Sequence, residues 1–282
     1  MTQAERATRQ QRIAAEMHVA ATFDAAQEIE RRVTFLADYL RTSGLKTYVL
    51  GISGGIDSTT AGRLAQLAVE RLRAGGYDAH FVAMRLPYGQ QHDEADAQRS
   101  LEFIRADENL AVDIQPAADA MLAAITAGGA RFTDQAQQDF VHGNIKARQR
   151  MIAQYAVASA RVGVVIGTDH AAESVMGFFT KFGDGGADVL PLTGLNKRRV
   201  RAVARELGAS DALVHKVPTA DLEMLRPQRP DEDAYGIRYD DIDDFLEGKP
   251  VSDAVADTVL RFYDATRHKR ALPYTPFDWP TE

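Results

Sequence analysis

The stretch Tyr48-Val49-Leu50-Gly51-Ile52-Ser53-Gly54-Gly55-Ile56-Asp57-Ser58 sets the architecture of this chain. An apolar run leads in, Ser-Gly-Gly-x-Asp-Ser turns, and a helical pattern leads out. Ala61, Leu64, Ala65, Ala68, Val69 and Leu72 make the helix's buried stripe, and Gly75-Gly76 stops it. A strand that ends this way is suited to a pyrophosphate. Two glycines let backbone N–H groups approach an anion closely, and the helix N-terminus adds partial positive charge. Ser53 and Ser58 supply hydroxyl donors, while Asp57 supplies a carboxylate for a divalent metal. No Gly-Lys-Ser/Thr follows, so this is not a Walker loop. A plain strand–turn–helix corner also uses Ser and Gly. Six matched positions in this context favour anion binding.

The same alternation continues outward. Residues 23–42 read as an amphipathic helix with Ile29, Val33, Leu36 and Leu40 on one face and Gly44 as its stop. Strands are expected at 47–52, 79–84, 110–114 and 162–166. Helices are expected at 58–74, 93–106, after Pro116, and at 134–161, 196–207 and 251–266. Strands alternating with helices predict an α/β protein: a doubly wound parallel sheet flanked by helices, as a single domain over 1–282. Residues 1–20 read as a polar leader that can flex. Ligands of such sheets bind beyond the carboxyl ends of the strands, where residues 53–57 and 168–173 both fall. Two long segments, 177–188 with four glycines and 219–236 with Pro227 and Pro230, read as lids or binding loops, with disorder as the alternative.

Composition narrows the chemistry. With 282 residues and 45% hydrophobic content the chain can bury a full core. No stretch approaches the roughly 18 apolar residues of a membrane span, and no apolar signal segment follows Met1, so a cytoplasmic protein is expected. Cysteine is absent, which excludes disulfides, thiolate metal sites and a cysteine glutaminase. The formal charge of −7, from 33 basic and 40 acidic residues, argues against a large nucleic-acid footprint. Basic clusters at Lys197-Arg198-Arg199 and Arg267-His268-Lys269-Arg270 stand out against that acidic average.

Further strings sharpen the reading: Asn144-Ile145-Lys146-Ala147-Arg148, Gly167-Thr168-Asp169-His170-Ala171-Ala172-Glu173, and the segment from Phe178 to Asp188. Pro191 to Arg198, Pro218-Thr219-Ala220-Asp221-Leu222, Ile242 to Gly248 and His268-Lys269-Arg270 complete them. The glycine loop looks like that of the ATP pyrophosphatases. The whole set resembles the ammonia-dependent NAD synthetases, from the first helix to His268. That resemblance implies the adenine nucleotide alpha hydrolase-like fold and a C–N ligase. Deamido-NAD would be adenylated by ATP and then aminated by ammonia, giving NAD, AMP and pyrophosphate with Mg²⁺ as cofactor. It also implies a cytoplasmic homodimer with sites at the interface, and no nucleic acid or membrane partner.

Carried over residue by residue, the resemblance implies ATP contacts at Gly51, Ile52, Ser53, Gly54, Gly55, Ile56, Asp57, Ser58, Arg85, Thr168, Lys197 and Thr219. It implies deamido-NAD contacts at Asn144, Arg148, Lys181, Asp188, His268 and Lys269, and metal ligation by Asp57 and Glu173. Asp57, Lys197 and Asp184 are the catalytic candidates, Asp184 as the base or carboxylate that handles ammonium. Taken singly, each has an ordinary structural alternative: a helix cap for Asp57, a solvated strand end for Arg85, an exposed loop aspartate for Asp184. Two rival functions remain at this stage. One is another amide-forming ATP pyrophosphatase of the GMP synthetase kind; the other is a non-catalytic ATP-binding sensor.

Overall fold

The computed structural model describes residues 2–89, 94–220, 222–227, 229–271 and 273–277. In chain order, α1 (Gln3–Glu16) and α2 (Ala25–Ser43) precede β1 (Thr47–Gly51), α3 (Ile56–Ala74) and β2 (His80–Arg85). Next come α4 (Glu94–Ile104), β3 (Glu108–Ala111), α5 (Gln115–Ala127), α6 (Gln135–Ala160) and β4 (Gly163–Val165). Then follow α7 (Ala171–Met176), α8 (Lys197–Glu206), α9 (Asp211–Val214), β5 (Thr219–Ala220) and β6 (Arg229–Pro230). The last elements are α10 (Asp231–Tyr235), α11 (Tyr239–Leu246), α12 (Asp253–Ala265) and α13 (Arg267–Arg270).

Strand periodicity divides the core in two. Tyr48 and Leu50 of β1, Phe81 and Ala83 of β2, and Val164 of β4 point to one side, where α2, α3 and α8 cover them. Val49, Val82, Met84 and Val165 point to the other, against Ala158 of α6 and Ile114. Both faces are buried, as a parallel sheet requires. The strand order is β3-β2-β1-β4, parallel throughout, with Thr47 opposite His80 and Gly163. A parallel bridge between Ile166 and Val189 extends it beyond β4. The doubly wound α/β expectation holds. β5 and β6 pair separately as an antiparallel ribbon.

A satellite core lies beyond the sheet. Ile13 and Met17 of the N-terminal segment pack with Val175 of α7, Phe245 of α11 and Leu260 of α12. Arg6 makes a two-bond pair with Asp257 (2.8 and 2.9 Å), and Arg9 reaches Asp264 at 2.6 Å. The polar leader therefore contains a helix, capped by Thr2 and Glu5 in a reciprocal box and docked on α11 and α12. Among the described residues no helix is long and apolar enough to cross a membrane. Trp279, part of the tail that the sequence left without a role, lies outside the described residues.

Candidate active site

At the carboxyl end of β1 the chain turns through Ser53-Gly54-Gly55 into α3. Gly54 adopts φ +83°, a backbone state that only glycine enters without strain. Gly55 is the N-cap, so α3 begins with no side chain occupying its first N–H groups. Ser53 and Ser58 hydroxyls lie 3.2 Å apart, and the Gly55 N–H donates to Ser53 Oγ at 3.3 Å. From α6, Gln154 Oε1 accepts the Gly51 N–H at 2.7 Å and holds the strand end in place. Gly51, Ile52, Ser53, Gly55, Ile56, Asp57 and Ser58 line one cavity of about 290 Å³ with Thr168, Glu173, Lys197 and Thr219.

Asp57 does not cap α3. Its Oδ2 accepts from Lys197 Nζ at 2.7 Å, a pair formed between the start of α3 and the start of α8. Lys197 is 1% exposed. Burial opposes both charges, yet their attraction wins. Lys197, with His170, holds the Asp57 carboxyl below its usual range, while Asp57 and Glu173 hold the Lys197 ammonium above its own. His170 is the N-cap of α7, its Nδ1 accepting the Glu173 N–H at 3.3 Å. That bond leaves the proton on Nε2, which faces Asp57 Oδ1 at 3.4 Å and Glu173 Oε1 at 3.6 Å. Burial pushes the imidazole down to about 3, so it is neutral.

These residues fit a hard divalent cation. Asp57 Oδ1 is buried and lacks a hydrogen-bond partner among the described residues. Burial, and then the facing Asp57 charge, drives the Glu173 carboxyl well above its ordinary value. The Asp57 and Glu173 carboxylate oxygens and the His170 ring nitrogen lie within 4.8 Å of one another, but with its proton on Nε2 and Nδ1 already accepting, the imidazole leaves ligation to the two carboxylates. A cation between the two carboxylates would satisfy the orphaned oxygen and relieve their repulsion; oxygen donors are what Mg²⁺ takes.

A second cavity of about 200 Å³ adjoins the first, sharing Phe178, Asp184 and Leu222 with it. Asn144, Thr180 and Lys269 line it. Asn144 Oδ1 accepts from Thr180 Oγ1 at 3.0 Å, and Lys269 Nζ donates to the Gly177 and Phe179 carbonyls at 2.8 and 2.7 Å. Asp184 accepts the Thr180 N–H at 2.9 Å, and the surrounding protein raises its carboxyl above the usual aspartate value. The segment 177–188 is thus a built wall between the cavities. On the opposite wall, α6 grips the 219–236 segment at two points. Asp139 accepts the Met224 and Leu225 N–H groups at 2.9 and 2.8 Å, and the buried Lys146 ammonium donates to the Leu222 carbonyl at 3.0 Å.

Other expected contacts fall outside these linings. Arg148 donates to the Lys181 carbonyl at 3.3 Å, and Lys181 Nζ to the His268 carbonyl at 2.5 Å, a chain along the exposed rim. Asp188 Oδ2 accepts the Val165 N–H at 2.8 Å and extends the sheet edge. Arg85 is buried and pairs with Glu94 at 2.9 Å; it lines neither cavity, whereas its neighbour Leu86 lines the larger one. Gly54 shapes the turn without lining a cavity.

The NAD synthase family profile matches residues 28–273. The chain belongs to the NAD synthase family. An NH(3)-dependent NAD(+) synthetase of Paraburkholderia phytofirmans is 79% identical over 282 residues, covering 100% of this chain and 99% of the relative. The crystal structure of NAD+ synthetase from Burkholderia pseudomallei aligns with a TM-score of 0.83 at 76% identity, over 95% of this chain and 98% of that one. NMN synthetase from Francisella tularensis aligns with a TM-score of 0.78 at 36% identity, over 90% and 99%.

Several cavity residues of this NAD synthase family chain escaped the sequence reading. His170 sat inside a quoted string but received no role. Its position five residues past the end of β4, directly before α7 and three before Glu173, is the spacing of an N-cap that could have found it. Arg150 and Gln154, four apart on α6, line the larger cavity. Asp231 lines it too and accepts from the Tyr239 hydroxyl at 3.0 Å. Nothing local marks Asp231, because its partners are brought to it only by the folding of α10 against α11.

Proposed function

We propose that this chain is a cytoplasmic ligase that converts deamido-NAD, ATP and ammonia into NAD, AMP and pyrophosphate. The observation that carries the proposal is the pairing of a glycine-lined pyrophosphate turn with a buried Asp57–Lys197–Glu173 cluster, opening onto a second cavity through a shared wall. A nicotinate carboxylate oxygen attacks the α-phosphorus, the bond to the β-phosphate oxygen breaks, and pyrophosphate leaves. Ammonia's nitrogen then attacks the acyl carbon, sheds its surplus protons, and AMP departs. The first step needs positioning and charge stabilisation more than covalent help from the protein.

Each group has work in that scheme. The uncapped N–H groups at the α3 start hold the leaving pyrophosphate, and Lys197 sits between it and the acidic pair. Asp57 and Glu173 would hold Mg²⁺, which neutralises phosphate charge when bound. Thr168 and Thr219 contact the nucleotide in the larger cavity, and Arg85 supports its adenine end from behind Leu86. Asn144 and Lys269 meet the nicotinyl end in the second cavity, while Arg148, Lys181, Asp188 and His268 meet the rest of deamido-NAD along the rim. Asp184 borders both cavities, and burial raises its carboxyl above the usual aspartate range, the direction that strengthens it as a base for ammonium.

A homodimer completes the site. The stripe Arg148, Ile152, Ala156 and Ser159 of α6 is exposed at helical spacing, and it continues into the rim that carries Lys181.

The assay is direct. Incubated with ATP, deamido-NAD and ammonium, the protein should release AMP and pyrophosphate in step with NAD. ADP with orthophosphate, or ATP binding without turnover, would overturn the proposal. Nicotinate mononucleotide in place of the dinucleotide checks the substrate class, since one structural relative is an NMN synthetase. Asp184→Asn should adenylate deamido-NAD at near wild-type rate and lose at least tenfold in the amination step, read by quenched-flow separation of the two. Unchanged amination removes Asp184 from its role.

A further inference from the structure

The larger cavity contains a cation that none of the motif strings predicted. Lys216 lies between α9 and β5 and lines that cavity with Ser53, Gly55 and Thr219. Its ammonium is 3.0 Å from Asp96 Oδ2 in the first turn of α4, and that turn rests on the glycine loop. A Cβ on Gly54 would stand 3.0 Å from Ala97 N and 3.3 Å from the Asp96 carbonyl carbon. The Asp96 backbone therefore touches the turn, and its side chain presents Lys216 beside the same turn.

The charges in the cavity give this placement a purpose. Asp57, Glu173, Asp184 and Asp231 line it against Arg150, Lys197 and Lys216. Lys197 is committed to Asp57 at 2.7 Å, and Arg150 donates to the Leu86 carbonyl at 3.1 Å, at the β2 end. A departing pyrophosphate carries several negative charges, and a lysine ammonium on a flexible stem is a natural point-charge partner for phosphate.

We propose that Lys216, held at the glycine loop by Asp96, is a second pyrophosphate-binding cation that moves from Asp96 to the leaving group during adenylation. This rests on the reaction proposed above. Asp96 then acts as a positioning residue: it keeps the ammonium at the loop when no phosphate is there, and takes it back as pyrophosphate departs.

The test is equilibrium binding of magnesium pyrophosphate and, separately, of AMP, by calorimetry on the full chain. Lys216→Met should weaken pyrophosphate binding at least tenfold and change AMP binding less than twofold. Lys216→Arg should recover most of the loss. Lys46→Met, which removes an exposed pair with Asp78, should leave both unchanged. In turnover, Lys216→Met should raise the KM for ATP with a smaller change in the KM for deamido-NAD. Wild-type pyrophosphate affinity in Lys216→Met, equal weakening of AMP, or no pyrophosphate binding by the wild type each overturns the assignment. If the wild type makes NAD, AMP and pyrophosphate while Lys216→Met binds pyrophosphate normally, only this assignment falls. If the wild type makes none of the three, the underlying reaction falls.

Discussion

Asp243 shows how one buried carboxylate can organise an active-site element without lining the cavity itself. From α11 it accepts the Lys197 N–H at 3.0 Å and the Arg198 N–H at 2.7 Å, satisfying the open first turn of α8 and aiming Lys197 into the cavity. Burial pushes its carboxyl up to about 6, against the pull of those N–H groups and of the Arg198 guanidinium, with the facing Glu247 charge adding to the rise. The folded value exceeds the unfolded one of 3.8, so between those values the unfolded chain has released the proton while the folded chain keeps it. The unfolded state then binds fewer protons, and this group's contribution to stability falls as pH rises from 3.8 to about 6. Asp243→Asn removes that dependence. Its stability relative to wild type should climb by up to about 3 kcal/mol between pH 4 and 6 and stay level above that, read from urea midpoints at each pH. A flat difference would show that the carboxyl titrates normally. Asp243 lay within a string quoted for its resemblance, yet its job was invisible there because capping across elements has no sequence spacing. Asp57 could be placed at a helix start from the glycine loop alone, whereas Glu173 and Lys197 entered the reading through the resemblance of their strings.

Helix α6 illustrates how much of an element's work is decided by what it lies against. Its period and length were readable, and the observed Gln135–Ala160 differs from the expected 134–161 by one residue at each end. Its purpose as a clamp was not. Gly143 sits mid-helix, where glycine weakens the helix. The reason is contact: a Cβ there would come within 3.2 Å of Leu222 Cβ. Lys146 and Asp139 then fix the same segment from either side of that contact, through a carbonyl and two N–H groups. An isolated glycine in a long helical pattern is the one sequence hint of this close approach. Asp139→Ala frees two backbone N–H groups that are exposed, so the global cost should be small, about 1 kcal/mol. The local effect should be larger. Leu222 forms part of both cavities, so the KM for deamido-NAD should rise several-fold while the thermal midpoint shifts by only a few degrees. Limited proteolysis should cut sooner within 222–227. A variant with wild-type KM and wild-type cleavage would remove the clamp from the account.

At the scale of the whole molecule, the parallel sheet was legible because both faces of β1 and β2 are apolar and helices intervene between strands. The docking of α1 was not, since its only fully buried side chain is Ile13 and the rest of the helix is alanine or polar. Such a helix shows its partner only once α11 and α12 are in place. The same reasoning from unmatched surface applies to α6. Of its 26 residues five are buried, and Ile152 is 52% exposed at the centre of the stripe that runs from Arg148 to Ser159. Small neighbours, Ala156 and Ser159, would let a second copy approach that stripe closely. A homodimer meeting there buries Ile152 and sets the Arg148–Lys181–His268 rim beside the neighbouring chain, which would make deamido-NAD binding depend on assembly. Ile152→Asp places a charge in that contact at little cost to the isolated fold, because the side chain is half in water already. Sedimentation velocity at micromolar concentration should show the wild type as a dimer and Ile152→Asp as a monomer with an unchanged far-ultraviolet spectrum. The KM for deamido-NAD should rise at least tenfold in the monomer while ATP binding holds within a few-fold, since none of the exposed stripe residues lines the cavity of the glycine loop. A dimeric Ile152→Asp would place the interface elsewhere, and a monomeric variant with full affinity for the dinucleotide would show that one chain is sufficient.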